Sequence, residues 1–305
     1  AINKQNITIR NCRIKDFEEG INFNNVQNSI IRDSNISSST EGIYLQAESD
    51  YNTIFNNLFS SNERGIHLAS SSYNNFTATN LSACDCNDDK SCLYFEAGSN
   101  NNTFSGKGIH SDFTNGNCPV IELSLSNDNL FQDVSLISNV IDYNQTFASS
   151  SLGTRLVNMT YPNITYSGVS SVYKAWHLTI LNVTNSSGDF LESVRIRTYD
   201  DEGVKHSRVL TNGSGYTDEA ITSEFKETSS GRTNLITTVQ ARKSGYIRKT
   251  INLGQQTNNN ETYFLSMQYD DVVPSFSGLS PSFGYVGDID FKFTLDEDSD
   301  TTCSL

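Results

Sequence analysis

The chain has 305 residues and a formal net charge of −14, yet only 18% of its residues are charged. That length predicts two or three domains, and an acidic chain with no basic stripe excludes nucleic acid as a partner. No run approaches the roughly 20 apolar residues that cross a bilayer, and the acidity itself reads as solubility.

From Asn6 to Leu136 a short pattern recurs six times. Its clearest copies start at Asn6-Ile-Thr-Ile-Arg, Asn28-Ser-Ile-Ile-Arg and Asn52-Thr-Ile-Phe-Asn. Aligned, one column reads Ile9, Ile31, Ile54, Phe76, Phe104, Phe131. A second reads Ile14, Ile36, Phe59, Leu81, Ile109, Leu136. A third follows Gly20-Ile21, Gly42-Ile43 and Gly65-Ile66 and continues as Leu93 and Ile121. The spacing, 22 or 23 residues at first and longer in later copies, is that of a solenoid whose units bury a shared core. Apolar and polar residues alternate at period two, the strand signature, with nothing at helical spacing. Short strands separated by Asn, Ser, Asp and Gly corners predict a parallel β-helix of about six rungs over residues 1–150. Ser29, Asn52, Asn74, Asn102 and Asn129 form a further column in which amides can bond from rung to rung.

Two features of the coil point outside the cell. Asn-x-Ser/Thr sequons occur at Asn6, Asn35, Asn75, Asn80, Asn101, Asn144, Asn158, Asn163, Asn182, Asn185, Asn212 and Asn260. Asn35 and Asn80 share an outward column with Arg13 and Leu58, where a glycan has solvent to occupy. Cys84, Cys86, Cys92 and Cys118 crowd the widened later rungs, and at least two of them are expected to form a disulfide whose pairing the sequence leaves open. Cys12, in phase with Ile14, reads as a small core residue.

Asn22, Tyr44, His67, Tyr94 and Glu122 form the best outward column; Tyr44, His67 and Tyr94 offer a stacking platform for sugar rings, with Glu122 beside them. Glu19 and Glu41 repeat beside the Gly-Ile turns, but Arg64 breaks the series, and no paired acid and base emerges for polysaccharide hydrolysis or elimination. Cys84-Asp-Cys-Asn-Asp-Asp-Lys-Ser-Cys92 departs from zinc spacing and lacks the glycine and terminal glutamate of an EF-hand. No cofactor is expected; calcium at Asp85, Asp88 and Asp89, or at Asp296–Asp300, is the weak alternative. His110, His177 and His206 are scattered, without evident partners.

Residues 151–175 lose the rung pattern and read as a cap or linker. Longer strands follow at Leu178–Val183, Val194–Tyr199, Val204–Leu210, Ile236–Arg242 and Lys249–Leu253, with turns at Asn185-Ser-Ser-Gly188, Asp200-Asp-Glu-Gly203 and Asn212-Gly-Ser-Gly215. Regular short strands with such turns predict an antiparallel sandwich over residues 176–268. Pro274, Gly278-Leu-Ser-Pro281 and Ile289–Leu295 open a third unit, residues 269–305, too short for a whole immunoglobulin-like domain.

On these residues the coil resembles the NosD-like right-handed β-helix repeat family. Val194-Arg-Ile, Asp-Glu-Gly203-Val, Thr211-Asn-Gly-Ser-Gly-Tyr216 and Lys243-Ser-Gly-Tyr246 resemble a carboxypeptidase-regulatory-like, transthyretin-type sandwich, and the last unit resembles an immunoglobulin-like domain of archaeal surface proteins. The combination resembles secreted archaeal and bacterial surface proteins, whose sandwich modules are mostly non-catalytic. What it implies is a non-enzymatic, glycosylated structural protein of a prokaryotic, archaeal-type cell surface, extracellular, building a surface layer or filament or mediating adhesion. Its partners would be copies of itself, N-linked glycans and surface polysaccharide. The alternative is a polysaccharide-binding or polysaccharide-cleaving β-helix with accessory sandwiches. Ala1 falls inside a repeat and the third unit stops after a few strands, so the chain reads as an excerpt of a longer one; otherwise its ends are joints at which a neighbouring copy caps the coil or donates strands.

Overall fold

The structure is a computed structural model that describes residues 1–82, 84, 91–106, 109–111, 119–138, 146–160, 163–257 and 262–268. Its described residues form β-strands and turns without a helix. The partial immunoglobulin-like unit expected at 269–305 and the acidic segments 85–89 and 296–300 lie outside the described residues.

Three parallel sheets run along the coil. The first contains eight strands, from Ile2–Gln5 and Glu19–Gln27 to Ile164–Ser167. The second starts at Thr8–Arg10 and the third, of six strands, at Arg13–Lys15. Register follows the repeat alignment. Ile9, Ile31, Ile54, Phe76, Phe104 and Phe131 pair from rung to rung in the second sheet. Ile14 through Leu136 do so in the third, and Ile21 through Ile121 in the first. These columns fill one core in which Ile31, Ile43, Ile54, Phe59, Ile66, Phe76 and Leu81 have no exposure. Burying each such side chain contributes roughly 1.5–3 kcal/mol. Phe76 stacks on Phe104 at 5.3 Å between ring centres, and Phe104 on Phe131 at 6.2 Å.

A stacked coil leaves backbone N–H groups at its corners pointing inward, where each needs an acceptor. Side chains of the neighbouring rung supply them. The expected asparagine ladder is one of several: Ser29 N–H donates to Asn52 Oδ1, Asn52 to Asn74, Asn74 to Asn102 and Asn102 to Asn129, each at 2.9 Å. Ser34 N–H donates to Asn57 Oδ1 and Ser39 N–H to Asn62 Oδ1 at the other corners, both at 3.0 Å. A serine series joins Val26 to Ser49, Ser49 to Ser71 and Ser71 to Ser99. Cys12 stands at the head of the Ser34 corner, where its N–H donates to Ser34 Oγ. It is partly buried at a corner, outside the core column expected for it, and its thiol is free.

The region expected to be a cap or linker, 151–175, continues the coil. Thr154–Val157 pairs in parallel with Leu130–Gln132, and Ile164–Ser167 with Thr146–Ser149. The sequence pattern fades there because Ser, Tyr and Asn replace the repeated aliphatic residues, while the backbone register persists. The next strand, Ser171–Asn185, is 15 residues long. Its first part is a coil rung paired in parallel with Thr154–Val157. Along its length it also pairs antiparallel with Thr217–Thr228. The expected boundary near residue 176 therefore falls inside one strand that belongs to both units.

Beyond it, a four-stranded antiparallel sheet has the order Lys205–Leu210, Arg195–Tyr199, Thr237–Arg242, Lys249–Gly254. It shares a second core with the extension of the coil's second sheet, built on Leu178, Ile180, Val183, Val194, Ile196, Val239, Ala241, Leu265 and Met267. One strand departs from the antiparallel expectation: Thr262–Met267 runs parallel to Ser171–Asn185. The 12-residue strand Thr217–Thr228 was not legible in sequence, since its Asp, Glu and Lys residues depress strand propensity.

Candidate functional site

The outward face of the first sheet carries the densest chemistry among the described residues. Period-two alternation buries Ile43, Leu45, Ile66 and Leu68 and turns their neighbours outward. Parallel pairing then stacks Asn22, Tyr44, His67, Tyr94 and Glu122 in one row, rung over rung. Glu19, Glu41 and Arg64 stack in a second row.

Stacking decides what this face can do. The Tyr44 and His67 rings lie 4.5 Å apart at 19°, and the His67 and Tyr94 rings 4.9 Å apart at 29°. The stack uses both faces of His67 and one face of each tyrosine. Arg64 covers Tyr94 with its guanidinium 4.6 Å from the ring centre, a cation–π contact.

The two rows join through His67. Its Nε2 lies 3.3 Å from Glu96 Oε2, and its Nδ1 lies 3.5 Å from Glu41 Oε1, close enough for attraction but without hydrogen-bond geometry. Arg64 donates to the same Glu41 oxygen at 3.2 Å. Asn22 donates to Glu19, Gln46 donates to Asn22 Oδ1 at 3.2 Å, and Ser91 donates to Glu122 Oε2 at 3.3 Å. Arg64 is therefore the cation that an acidic row requires, although in sequence it breaks the run of glutamates. An imidazole also stands between two carboxylates here, an acid–base juxtaposition the sequence does not reveal. His67 is only 7% exposed, whereas the Glu96 side chain is 47% exposed. The ring is thus a buried centre with more exposed carboxylates and phenols around it.

Electrostatics follow from burial. Partial burial raises the Tyr44 phenol above its ordinary value, and Glu96, Glu41 and Glu19 add to the rise. Burial likewise raises Tyr94, reinforced by Glu122 and Glu96. Glu122 is raised by burial, opposed by Arg64, the Ser91 hydroxyl and His67. Phenols that stay protonated donate and carboxylates accept, the complement of a surface rich in hydroxyl groups.

The other expected residues are dispersed. Asn6, Asn75, Asn101, Asn163, Asn182 and Asn212 are exposed, and Asn35 and Asn80 are half-buried on the third sheet. Asn158 donates to Asp133 at 2.5 Å, and Asn185 and Asn212 organise turns by accepting backbone N–H groups. Asn144 and Asn260 lie outside the described residues, as do Cys86 and Cys118. A disulfide joins Cys84 to Cys92, their Cα atoms 5.4 Å apart. Two histidines read as partnerless have partners: His177 lies 3.3 Å from Asp133, and His206 3.0 Å from Asp200.

Comparison with known proteins adds the following. Residues 2–106 match the family described as periplasmic copper-binding protein (NosD). No curated protein gives a significant match. Among solved structures, the chain is similar to DFA-IIIase from Arthrobacter chlorophenolicus A6 in complex with DFA-III, at 12% identity and a TM-score of 0.42, covering 57% of this chain and 43% of that one. It is also similar to full-length tailspike protein 2 from Escherichia coli O157:H7 bacteriophage CAB120, at 10% identity and a TM-score of 0.39, covering 82% of this chain and 57% of that one. The chain spans about half the length of the solved structures it matches, and likenesses this distant carry no argument about activity. Residues 2–106 are thus similar to the NosD family, and they lie within the stacked parallel rungs of the β-helix.

Proposed function

We propose that this chain is an extracytoplasmic, glycosylated structural β-helix protein of a prokaryotic cell surface that binds a surface polysaccharide along the outer face of its first sheet and does not cleave it. The observation that carries this reading is the Tyr44–His67–Tyr94 ladder locked between Glu41, Arg64 and Glu96. A coil repeats its surface groups at rung spacing, so it offers a linear polymer a row of donors and acceptors. The residue best suited to proton transfer, His67, has its ring faces covered by tyrosines and its nitrogens turned to carboxylates, which suits binding better than catalysis. The matched family's description is periplasmic, consistent with a compartment beyond the cytoplasm, and among the described residues no helix is long and apolar enough to cross a membrane. Copies of this chain in a layer or filament are the setting we propose for the binding face.

Copper, which the family's description names, does not fit the donors present. Copper favours imidazole, thiolate and thioether ligands. The strip holds one imidazole among carboxylates, Met159 and Met267 lie in separate cores, and no group of three or more metal-ligating side chains converges among the described residues.

Affinity electrophoresis through gels cast with purified polysaccharides tests the proposal. Retardation should appear with at least one polymer and weaken about tenfold in Glu96→Gln, the loss of one hydrogen bond to a charged group. No new reducing ends should form on prolonged incubation. Migration unchanged in every polymer, or release of oligosaccharides, would reject it.

A further inference from the structure

A second aromatic feature lies at the corner between the first and second sheets, apart from the strip. The corner residues Asn6, Asn28, Tyr51, Tyr73, Asn101 and Asp128 all adopt positive φ, between 52° and 58°. Each donates its N–H to the next rung: Tyr51 to Ser72 O, Tyr73 to Asn100 O and Asn101 to Asn127 O. They therefore stand in register, one above another. Asn and Asp tolerate this left-handed conformation, whereas a bulky tyrosine adopts it at a cost. Tyrosine nevertheless occupies the corner in two successive turns. The two rings lie parallel within 5°, 5.1 Å apart, and are 56% and 51% exposed. Tyr51 covers one face of Tyr73. The other face is turned along the coil axis toward the next corner residue, Asn101.

Asn101 is exposed and heads the sequon Asn101-Asn102-Thr103. We propose that Asn101 carries an N-linked glycan whose first sugar packs on the free face of Tyr73, so that Tyr51, Tyr73 and the sugar form a three-layer stack at this corner. The apolar face of a pyranose suits an aromatic ring, and Asp50, Ser72 and Asn100 supply a polar border beside it: Ser72 N–H donates to Asp50 Oδ1 at 2.7 Å and Asn100 N–H to Ser72 Oγ at 3.0 Å. The modification needs a glycosyl donor activated as a polyprenyl phosphate ester. Asn101 Nδ2 attacks the anomeric carbon, the N–C bond forms as the C–O bond to phosphate breaks, the amide proton passes to a base of the transferase, and the polyprenyl phosphate leaves as an anion. This inference rests on the extracytoplasmic, glycosylated reading proposed above.

Protein isolated from its native cells and analysed by intact-glycopeptide mass spectrometry should show a glycan on Asn101. Nitration of Tyr73 in that protein, with Tyr51 as internal reference, should be roughly threefold to tenfold slower than in Asn101→Gln, the range set by one aromatic stacking contact. Tyr73→Asn, which installs the residue type of neighbouring corners, should fold normally, keep the glycan and lose the upfield ring-current shift of the first sugar's protons. Glycans on other sequons with Asn101 bare would overturn this inference alone. Bare asparagines at every sequon would overturn the glycosylated reading as well. A glycan on Asn101 with Tyr73 nitration unchanged in Asn101→Gln would reject the stack.

Discussion

His206 Nε2 lies 3.0 Å from Asp200 Oδ2, and both side chains are 1% exposed. On the other side of the ring, Arg155, a coil residue, points its Nε at His206 Nδ1 from 3.4 Å, and Ser223 Oγ lies 3.1 Å from the same nitrogen. Arginine only donates, so Nδ1 holds a lone pair and Nε2 carries the proton given to Asp200. Ser223, His206 and Asp200 thus stand in the order of a proton relay, with Ser223 only 1% exposed, and together with Arg155 they join sandwich to coil. Burial, reinforced by Arg155, pushes the imidazole below its ordinary value against the pull of Asp200. Between that lowered value and the ordinary one of about 6.5, the unfolded chain binds more protons than the folded chain. This contribution to stability is full above about 6.5 and is lost as pH falls toward the folded value. Urea unfolding from pH 7.5 to 5 should show the decline, and His206→Gln, which cannot take up a proton, should flatten it. Parallel curves for the two proteins would remove His206 as the source.

The corner ladder yields a second expectation. Asn74 Oδ1 accepts the buried N–H of Asn52, and the Asn74 side-chain amide donates to Asn102 Oδ1 at 3.2 Å. Asn74→Ala leaves the Asn52 N–H unmet in the core, which costs about 1–3 kcal/mol. Exposed Asn75→Ala, one residue away, should stay within about 0.5 kcal/mol. Equal denaturation midpoints for the two variants would mean the ladder carries no weight.

Much of this architecture was legible in sequence. The three aliphatic columns of the repeat are the observed pairing registers, because a parallel coil converts sequence period directly into rung neighbours. The Asn52–Asn74–Asn102 column was legible for the same reason. The charged centre of the strip was not. Arg64 and Glu41 differ in charge sign, and a repeat analysis scores such a change as a broken column, although opposite charges on neighbouring rungs are what an ion pair requires. Arg155 and His206 meet across 51 residues with no periodic signal at all. The continuation of the coil through 151–175 was missed because backbone pairing persisted after side-chain repetition stopped.

Glycines of the first sheet form a tight column. A Cβ on Gly42 would sit 2.5 Å from the Gly65 carbonyl oxygen and 2.9 Å from Phe59 Cδ1. Neither neighbour can retreat without moving a rung, so Gly42→Ala should cost about 1–3 kcal/mol. Gly213 is the contrast: nothing lies within 4 Å of its Cβ position, and its φ is not in the left-handed region. Gly213→Ala should be neutral or stabilise by about 0.4–1 kcal/mol through the unfolded chain. Thermal unfolding of the two variants side by side decides the matter, and a tolerated Gly42→Ala would show that the rungs are more compliant than their spacing implies.

The last expectation concerns the charge of the polymer on the strip. Glu19, Glu41, Glu96 and Glu122 face solvent or its margin beside one guanidinium and one imidazole, and Arg64 is already committed to Glu41. A uronate brought to this face meets like charge, which a neutral sugar does not, so binding should favour neutral polymers. Glu96, whose side chain is 47% exposed, contributes repulsion that solvent screens only in part. Two signatures separate this from a simple fit of shape. Added salt should narrow the preference for neutral over uronate polymers, because screening acts on the repulsion and leaves hydrogen bonds largely intact. Glu96→Gln should narrow it as well, while weakening the neutral polymer through the lost acceptor. Tighter binding of a uronate polymer at low salt would assign Arg64 and His67, rather than the carboxylates, as the groups that meet the ligand.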